Sequence, residues 1–163
     1  EKILVLGAGN FGTCLAQHLA EKGYHVTMWS RTAEIAEAIN TTRKNPKYLN
    51  TINLSPRLSA TNFIDEKLME SVSVVVQATP TQNMREVLSH LKAYWRKELL
   101  LVCAAKGIEM ETLQLPSSII AEVLGDDVAD RAHALEFFRL DLLAGVFLHF
   151  NPLRNKIQCN QSN

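Results

Sequence analysis

Three glycines near the start of the sequence have the spacing of a phosphate-binding turn. Gly7, Gly9 and Gly12 form the pattern Gly-x-Gly-x-x-Gly. Gly7 would allow a tight turn, Gly9 would let a pyrophosphate approach the backbone because it has no Cβ atom, and Gly12 would let a helix pack closely. A helix that begins near Asn10 would point unpaired N–H groups at the phosphates. The spacing indicates a dinucleotide site; the alternative is a structural unit that binds nothing.

An arginine, rather than an acidic residue, stands where the ribose of a dinucleotide would be recognised. NAD-binding folds usually place Asp or Glu about 20 residues after the glycines, but this sequence has Arg31 there and no carboxylate before Glu34. Arg31 could pair with a 2′-phosphate or stack on adenine. The sequence therefore favours NADP as the cofactor, with NAD possible. The alternative is that Arg31 is a solvated residue at a helix start.

The elements around these residues follow from hydrophobic periodicity. Residues 2–6 are an apolar run of strand length, residues 13–22 have helical spacing, and residues 24–29 form a second predicted strand. The glycines thus lie between a strand and a helix, which is the context that makes the motif specific.

Two more apolar runs predict strands that end in polar turns. Residues 73–78 and 99–104 are typical of strands buried on both faces of a parallel sheet. After the first run, we expect Thr81 to cap a helix over about 82–95. After the second comes Lys106, which could contact a phosphate or a carbonyl oxygen, because ligands bind at the carboxyl ends of such strands. The alternative for Lys106 is a lysine on a loop surface.

The remaining segments complete an alternating pattern. We expect a helix over 32–39 with Thr32 as its N-cap, and a long polar loop over 40–56. Its basic and aromatic side chains could meet phosphate or could simply be solvated: Arg43, Lys44, Lys47 and Tyr48. Further predicted elements are a strand at 58–61, a helical turn at 65–70, a helix at 116–124 and the start of a sixth strand at 133–135. The pattern predicts an α/β fold, a doubly wound parallel sheet with strand order near 3-2-1-4-5.

Composition excludes several classes of function. The chain has 163 residues, 47% of them hydrophobic, and its 17 basic residues balance 17 acidic ones, which argues against a nucleic-acid partner. The three cysteines and five histidines show no metal-ligand spacing, so we predict no metal site. Cys14 and Cys103 are expected in the core, and an odd count without CxxC suits a reducing compartment.

The ends and hydropathy of the sequence bear on its location. No apolar run reaches the roughly 20 residues that a membrane span needs, and no signal peptide is visible before the first predicted strand. We therefore expect a cytoplasmic protein without membrane insertion. Because the sequence does not begin with Met, we expect at least one residue to precede it.

Five motifs together resemble the NAD(P)-dependent glycerol-3-phosphate dehydrogenases, over about residues 2–135. They are residues 7–13 (GAGNFGT), 26–31 (VTMWSR), 45–49 (NPKYL), 78–82 (ATPTQ) and 105–109 (AKGIE). The resemblance implies reduction of dihydroxyacetone phosphate to sn-glycerol 3-phosphate for phospholipid synthesis. It implies that Asn10, Phe11, Arg31 and Tyr48 contact the cofactor, and that Lys106 contacts both the cofactor and a small phosphorylated substrate. A homo-oligomer is possible.

The resemblance ends at residue 135. The family continues with a Ser-Gly-Pro-Ser-Phe-Ala motif, whereas residues 136–140 here read EFFRL. The family's helical substrate domain, with its catalytic lysine, has no counterpart in this sequence, so we assign no catalytic residue. We expect a cofactor domain over 1–135 and an atypical tail over 136–163. The tail is either a helix that covers the sheet end or a frame-shifted terminus with exposed phenylalanines, and the abrupt change favours the second.

Two other functions stay open on the sequence alone. One is a nucleotide-sensing or partner-binding module that does not catalyse a reaction. The other is a different dinucleotide-dependent reductase, of the ketopantoate or hydroxyacid type, although the motifs at 45–49 and 105–107 speak against it.

Overall fold

Strands and helices alternate along the chain in the computed structural model, which describes residues 1–134, with side chains through residue 132. The strands are β1 (Lys2–Leu6), β2 (His25–Trp29), β3 (Leu58–Thr61), β4 (Val74–Gln77), β5 (Leu100–Cys103) and β6 (His133–Ala134). The helices are α1 (Asn10–Glu21), α2 (Ala33–Thr42), α3 (Glu66–Ser71), α4 (Thr81–Lys92), α5 (Pro116–Leu124) and α6 (Asp126–Arg131). Our expectations for the tail lie outside the described residues.

The strands form one parallel sheet in the order β3-β2-β1-β4-β5-β6. This is the predicted doubly wound α/β fold, and the sixth strand that the sequence suggested is present as a short pairing of β6 with β5. The order reverses between β1 and β4, so their carboxyl ends are neighbours at the edge where doubly wound folds bind ligands.

The sheet is covered on both faces because alternate residues of each strand point in opposite directions. Ile3 and Val5 of β1 pack in one core with apolar residues of α1 and α2. Leu4 and Leu6 pack in the other core with α4, α5 and α6. The apolar runs of β1, β4 and β5 are thereby explained, since these strands are buried almost completely.

Helix α2 is longer than predicted, and two residues that were predicted to lie in the following loop form hydrogen bonds with the edge strand of the sheet. Asn40 donates from Nδ2 to Ala60 O at 2.8 Å and accepts from Ala60 N at 2.8 Å. Arg43, the C-cap residue with φ 56°, donates to Leu58 O at 2.7 Å and to Pro56 O at 2.9 Å. These side chains bond to backbone groups in and just before edge strand β3 that would otherwise be unpaired.

Other boundaries also differ from the prediction. Helix α1 begins at Asn10, where it was expected, whereas α4 ends at Lys92 instead of residue 95. Asp126 and Asp127, which follow the predicted helix over 116–124, start the additional helix α6, where acidic side chains favour a helix N-terminus. Cys14 is exposed, contrary to the expectation of a core residue, whereas Cys103 is buried as expected.

Candidate functional site

The turn after β1 packs directly against the turn after β4. Gly7 has φ +115°, a conformation that side chains rarely adopt, and a Cβ atom there would lie 3.1 Å from the Ala78 backbone and from Thr79 Cγ2. The Gly7 N–H donates to Trp29 O at 3.0 Å. Gly7 therefore makes the tight turn predicted for it, and it joins the ends of β1, β2 and β4 at one point.

Gly12 is a packing requirement of the same turn. A Cβ atom on Gly12 would lie 2.1 Å from Gly7 O, far inside van der Waals contact. The close approach predicted for this glycine is therefore present, but its partner is the turn backbone and not the strand.

Gly9 has open space above it. A Cβ atom on Gly9 would meet no heavy atom within 4 Å among the described residues, and its φ of −76° is accessible to any residue. Neither packing nor backbone conformation explains this glycine in the unliganded fold. The open space leaves the backbone at Gly9 accessible, which is what a ligand at this turn would need.

The N-terminus of α1 faces this space without neutralising groups of its own. In the part of the chain that the structure describes, no side chain caps α1 and no acidic residue lies in its first turn. Asn10 and Phe11, the first two helical residues, are both exposed, Phe11 by 42%. The end of the helix thus offers backbone N–H donors and a positive dipole to an anion.

Arg31 lies beside the glycine turn because β2 pairs with β1. Trp29 is in register with Leu6, so Arg31, two residues after the end of β2, follows at the same carboxyl edge of the sheet, and its side chain is exposed. Glu34 lies in the first turn of α2. Thr32 is the N-cap residue of α2, as predicted, but its side chain forms no capping hydrogen bond. The Thr32 N–H instead donates to Ser30 Oγ at 3.2 Å.

The side chain of a buried asparagine attaches the backbone of Tyr48 to the glycine turn. Asn45 has 0% exposure and donates from Nδ2 to Ala8 O and to Thr13 Oγ1, both at 2.9 Å. Its Oδ1 accepts from Tyr48 N at 3.1 Å. The loop that carries Tyr48 is thereby fastened to the glycine turn.

The basic residues of this loop do not act as one group. The Arg43 guanidinium is engaged by the carbonyls at the β3 edge, so a contact with phosphate, which the sequence left open for it, does not fit the structure. Lys47 Nζ lies 5.5 Å from the centroid of the half-buried Tyr48 ring. Lys44 is exposed.

Lys106 is held at the N-terminus of α4 through its backbone. Thr81 Oγ1 donates to Lys106 O at 2.7 Å, while Pro80 occupies the N-cap position without a side-chain cap. The prediction that Thr81 caps α4 is therefore wrong, because its hydroxyl bonds across to the next loop. This bond brings exposed Lys106 to the turn at residues 78–81, which contacts Gly7.

Arg85 fixes the rest of that loop. Its guanidinium contacts Glu109 at 3.0 Å and Glu122 at 3.1 Å, and it donates to Gln114 Oε1 at 2.8 Å. Hydrogen bonds from Arg85 and then from Thr112 lower the pKa of the Glu109 carboxyl. The bonds to Glu109 and Glu122 raise the pKa of Arg85. The network is charged at neutral pH and spans α4, α5 and the loop between β5 and α5.

The structure brings together the residues that sequence analysis named on separate elements. The glycines with Asn10, Phe11 and Arg31 lie at the ends of β1 and β2, Tyr48 is tied to them by Asn45, and Lys106 stands at the end of β5. Sequence reasoning gave no individual role to Asn45 or Arg85 and the wrong one to Thr81, because the partners that these side chains bond across the fold are between 24 and 37 residues away. Among residues 1–134, no group of His, Cys, Asp and Glu is arranged to hold a metal ion.

Comparison with known proteins gives one consistent family. Residues 2–135 match the model of the NAD-dependent glycerol-3-phosphate dehydrogenase N-terminus. A glycerol-3-phosphate dehydrogenase [NAD(P)+] from Geobacter sulfurreducens is 43% identical over 129 residues, which are 79% of this chain and 38% of that protein.

Solved structures agree. Glycerol-3-phosphate dehydrogenase from Coxiella burnetii matches with a TM-score of 0.71 and 25% identity, over 79% of this chain and 43% of that chain. The Saccharomyces cerevisiae enzyme matches with a TM-score of 0.66 and 31% identity, over 79% and 44%. The chain thus spans less than half the length of the relatives it resembles.

Proposed function

This chain belongs to the NAD-dependent glycerol-3-phosphate dehydrogenase family through the family's N-terminal domain, and from that premise we propose that residues 1–135 form a domain that binds NADP(H) in preference to NAD(H). The observation that carries the proposal is the open space above Gly9 at the uncapped start of α1. A pyrophosphate there would accept N–H donors from the helix terminus and approach the backbone without steric conflict.

The remaining cofactor contacts follow from position. Asn10 and Phe11 border the proposed pyrophosphate site as the first residues of α1. Arg31 lies at the end of β2, where a ribose 2′-phosphate would form charge-assisted hydrogen bonds with its guanidinium. The loop that carries Tyr48 is attached to the glycine turn, so Tyr48 borders the proposed cofactor site.

We propose a small phosphorylated ketone, dihydroxyacetone phosphate in this family, as the substrate. The cofactor supplies the hydride when bound, and Lys106 offers a cation to the cofactor and the substrate phosphate. Reduction of a ketone forms an alkoxide, which needs a positive group and a proton donor. We assign the proton donor to none of the described residues, so we expect the 163-residue chain to bind the cofactor without turnover.

The test of this function is a titration with NADPH and with NADH, of the wild type and of Arg31→Ala. We expect NADPH to bind more tightly than NADH. Loss of a charge-assisted contact to the 2′-phosphate should weaken NADPH binding roughly tenfold to a hundredfold and leave NADH binding nearly unchanged. Measurable reduction of dihydroxyacetone phosphate by the wild type would contradict the proposed lack of turnover.

Arg57→Ala is the matched control for this titration. Arg57 is also exposed, but its carbonyl pairs with Val26 N and its guanidinium lies 3.2 Å from His25 Nε2, at the opposite end of β2. It should bind NADPH as the wild type does. Equal losses in Arg57→Ala and Arg31→Ala would show a general charge effect and refute the assigned role of Arg31.

A second candidate function is a nucleotide-sensing or partner-binding module without catalysis. It is favoured by exposed apolar side chains in and beside the loop between β5 and α5, with Met110 and Leu113 exposed by 74% and 78%. A complex that is captured by the wild type but lost when Met110 and Leu113 are replaced by serine would support it. Family membership argues against the ketopantoate-type alternative.

Location and assembly stay predictions. Within the described residues, no helix has the length and apolar character to cross a membrane. We propose a cytoplasmic location and a possible homo-oligomer, which cell fractionation and light scattering after gel filtration would test. The boundary between the cofactor domain and the tail over 136–163 is likewise a proposal, which limited proteolysis would test.

A further inference from the structure

Asn45 uses its whole side chain to bridge two parts of the site. The carboxamide nitrogen donates to Ala8 O in the glycine turn and to Thr13 Oγ1 in α1. The carboxamide oxygen accepts from Lys47 N at 3.3 Å and from Tyr48 N at 3.1 Å. All the hydrogen-bonding positions of the amide are therefore occupied, and the residue is completely buried.

The bridge requires an amide. Ala8 O can only accept a hydrogen bond, and the two backbone N–H groups on the other side can only donate. A side chain at residue 45 must therefore donate on one side and accept on the other. An aspartate of the same shape would place an acceptor against the Ala8 carbonyl, and an apolar side chain would leave buried groups unpaired.

The far end of the loop is held separately. The Ser55 N–H donates to Gln17 Oε1 at 2.8 Å, and the Leu54 N–H donates to Arg43 O at 2.7 Å. The loop can thus stay closed and attached to α1 without Asn45. Among the hydrogen bonds of the described residues, those of Asn45 link the glycine turn to the backbone of Tyr48.

We propose that Asn45 is a positioning residue for the cofactor, one that acts by holding Tyr48 at the glycine turn. The inference rests on the proposed function, since it explains how a residue that does not touch the cofactor could control the affinity for NADPH. Asn45 is shielded from solvent, so it would act on the ligand through its hydrogen-bond partners, which among the described residues lie in the turn, in α1 and in the loop. The variant Tyr48→Ala separates the route through the loop from the route through the turn and α1.

The test is a double-mutant cycle on NADPH binding by the full chain. Asn45→Ala and Tyr48→Ala should each weaken NADPH binding. For Asn45→Ala we expect a loss of roughly tenfold, which corresponds to about one net hydrogen bond. If Asn45 acts through Tyr48, the double variant should bind no more weakly than the weaker single variant. Should Asn45→Ala fail to fold, Asn45→Ser replaces it in the same cycle, because a neutral hydroxyl leaves fewer buried groups unpaired and adds no charge beside the ligand.

Asn40→Ala is the matched control. Asn40 also bridges two elements with its carboxamide, but it does so between α2 and β3, away from the glycine turn. It should lower thermal stability while leaving the Kd for NADPH within about twofold, a change well below one net hydrogen bond.

The outcomes separate the two proposals. A wild type that does not bind NADPH would overturn the proposed function and this inference with it. If the wild type binds NADPH but the losses of affinity in Asn45→Ala and Tyr48→Ala multiply in the double variant, this inference alone is overturned. An unchanged Kd in a folded Asn45 variant would do the same.

Discussion

Gly9 and Gly12 lie in one turn but are glycines for different physical reasons. Gly12 has no room for a Cβ atom, because Gly7 O would lie 2.1 Å from it. Gly9 has both the room and a backbone conformation that suits other residues. The motif spacing predicted the close packing at Gly12, and the role of Gly9 at a pyrophosphate stays a prediction. The spacing could not show that the partner of Gly12 is the turn itself, since that contact depends on how tightly the turn closes.

Gly12→Ala should therefore destabilise the fold. The added methyl group must push the start of α1 away from Gly7, and overpacking of this kind costs about 1–3 kcal/mol. Urea unfolding measures the change in the free energy of unfolding, with Gly9→Ala as the control that should unfold like the wild type. Equal stability of Gly12→Ala and the wild type would mean that the turn is looser than the structure shows.

At the scale of elements, the loop between β5 and α5 is held by helix α4. Thr81, Gln82 and Arg85 of α4 all contact it: Gln82 Nε2 donates to Ile108 O at 2.8 Å, and Met110 N donates to Gln82 Oε1 at 2.9 Å. The sequence indicated the strand and the lysine that follows it. It could not indicate this attachment, because pairs such as Arg85 and Glu109 are 24 residues apart and carry no local pattern.

The ion pair between Arg85 and Glu109 should make stability depend on pH in the acid range. Because the pKa of Glu109 is lowered in the folded state, its contribution is fully present above the ordinary glutamate pKa of about 4.3 and is lost as the pH falls through the lowered folded value. The stability advantage of the wild type over Glu109→Gln should thus be constant from pH 7 to about pH 5 and shrink below about pH 4.

Urea unfolding at a series of pH values measures this advantage. Glu111→Gln, in an exposed position of the same loop, is the control and should match the wild type at pH 7. An advantage over Glu109→Gln that grows towards low pH would contradict the assigned ion pair.

At the scale of the whole molecule, the strand order was predictable and the details of its edges were not. Right-handed crossovers and the glycine turn restrict a chain with this alternation to few topologies, and the observed order is one of them. The β3 edge was not predictable, because Asn40 and Arg43 read as loop residues until β3 provides backbone partners for them. The same holds for Asn45, whose role exists only once α1 and the glycine turn are placed beside the loop.

The central claim is that the glycine turn of this chain binds NADP(H), and the most direct measurement is a calorimetric titration of the wild type and Gly9→Ala with NADPH. Gly9→Ala is chosen because the unliganded fold accommodates its methyl group, so a loss of affinity must arise at the ligand. We expect saturable binding to the wild type and binding weaker by roughly tenfold or more in Gly9→Ala, with unchanged unfolding. Equal NADPH affinity of the two proteins, or no binding to a folded wild type, would contradict the claim.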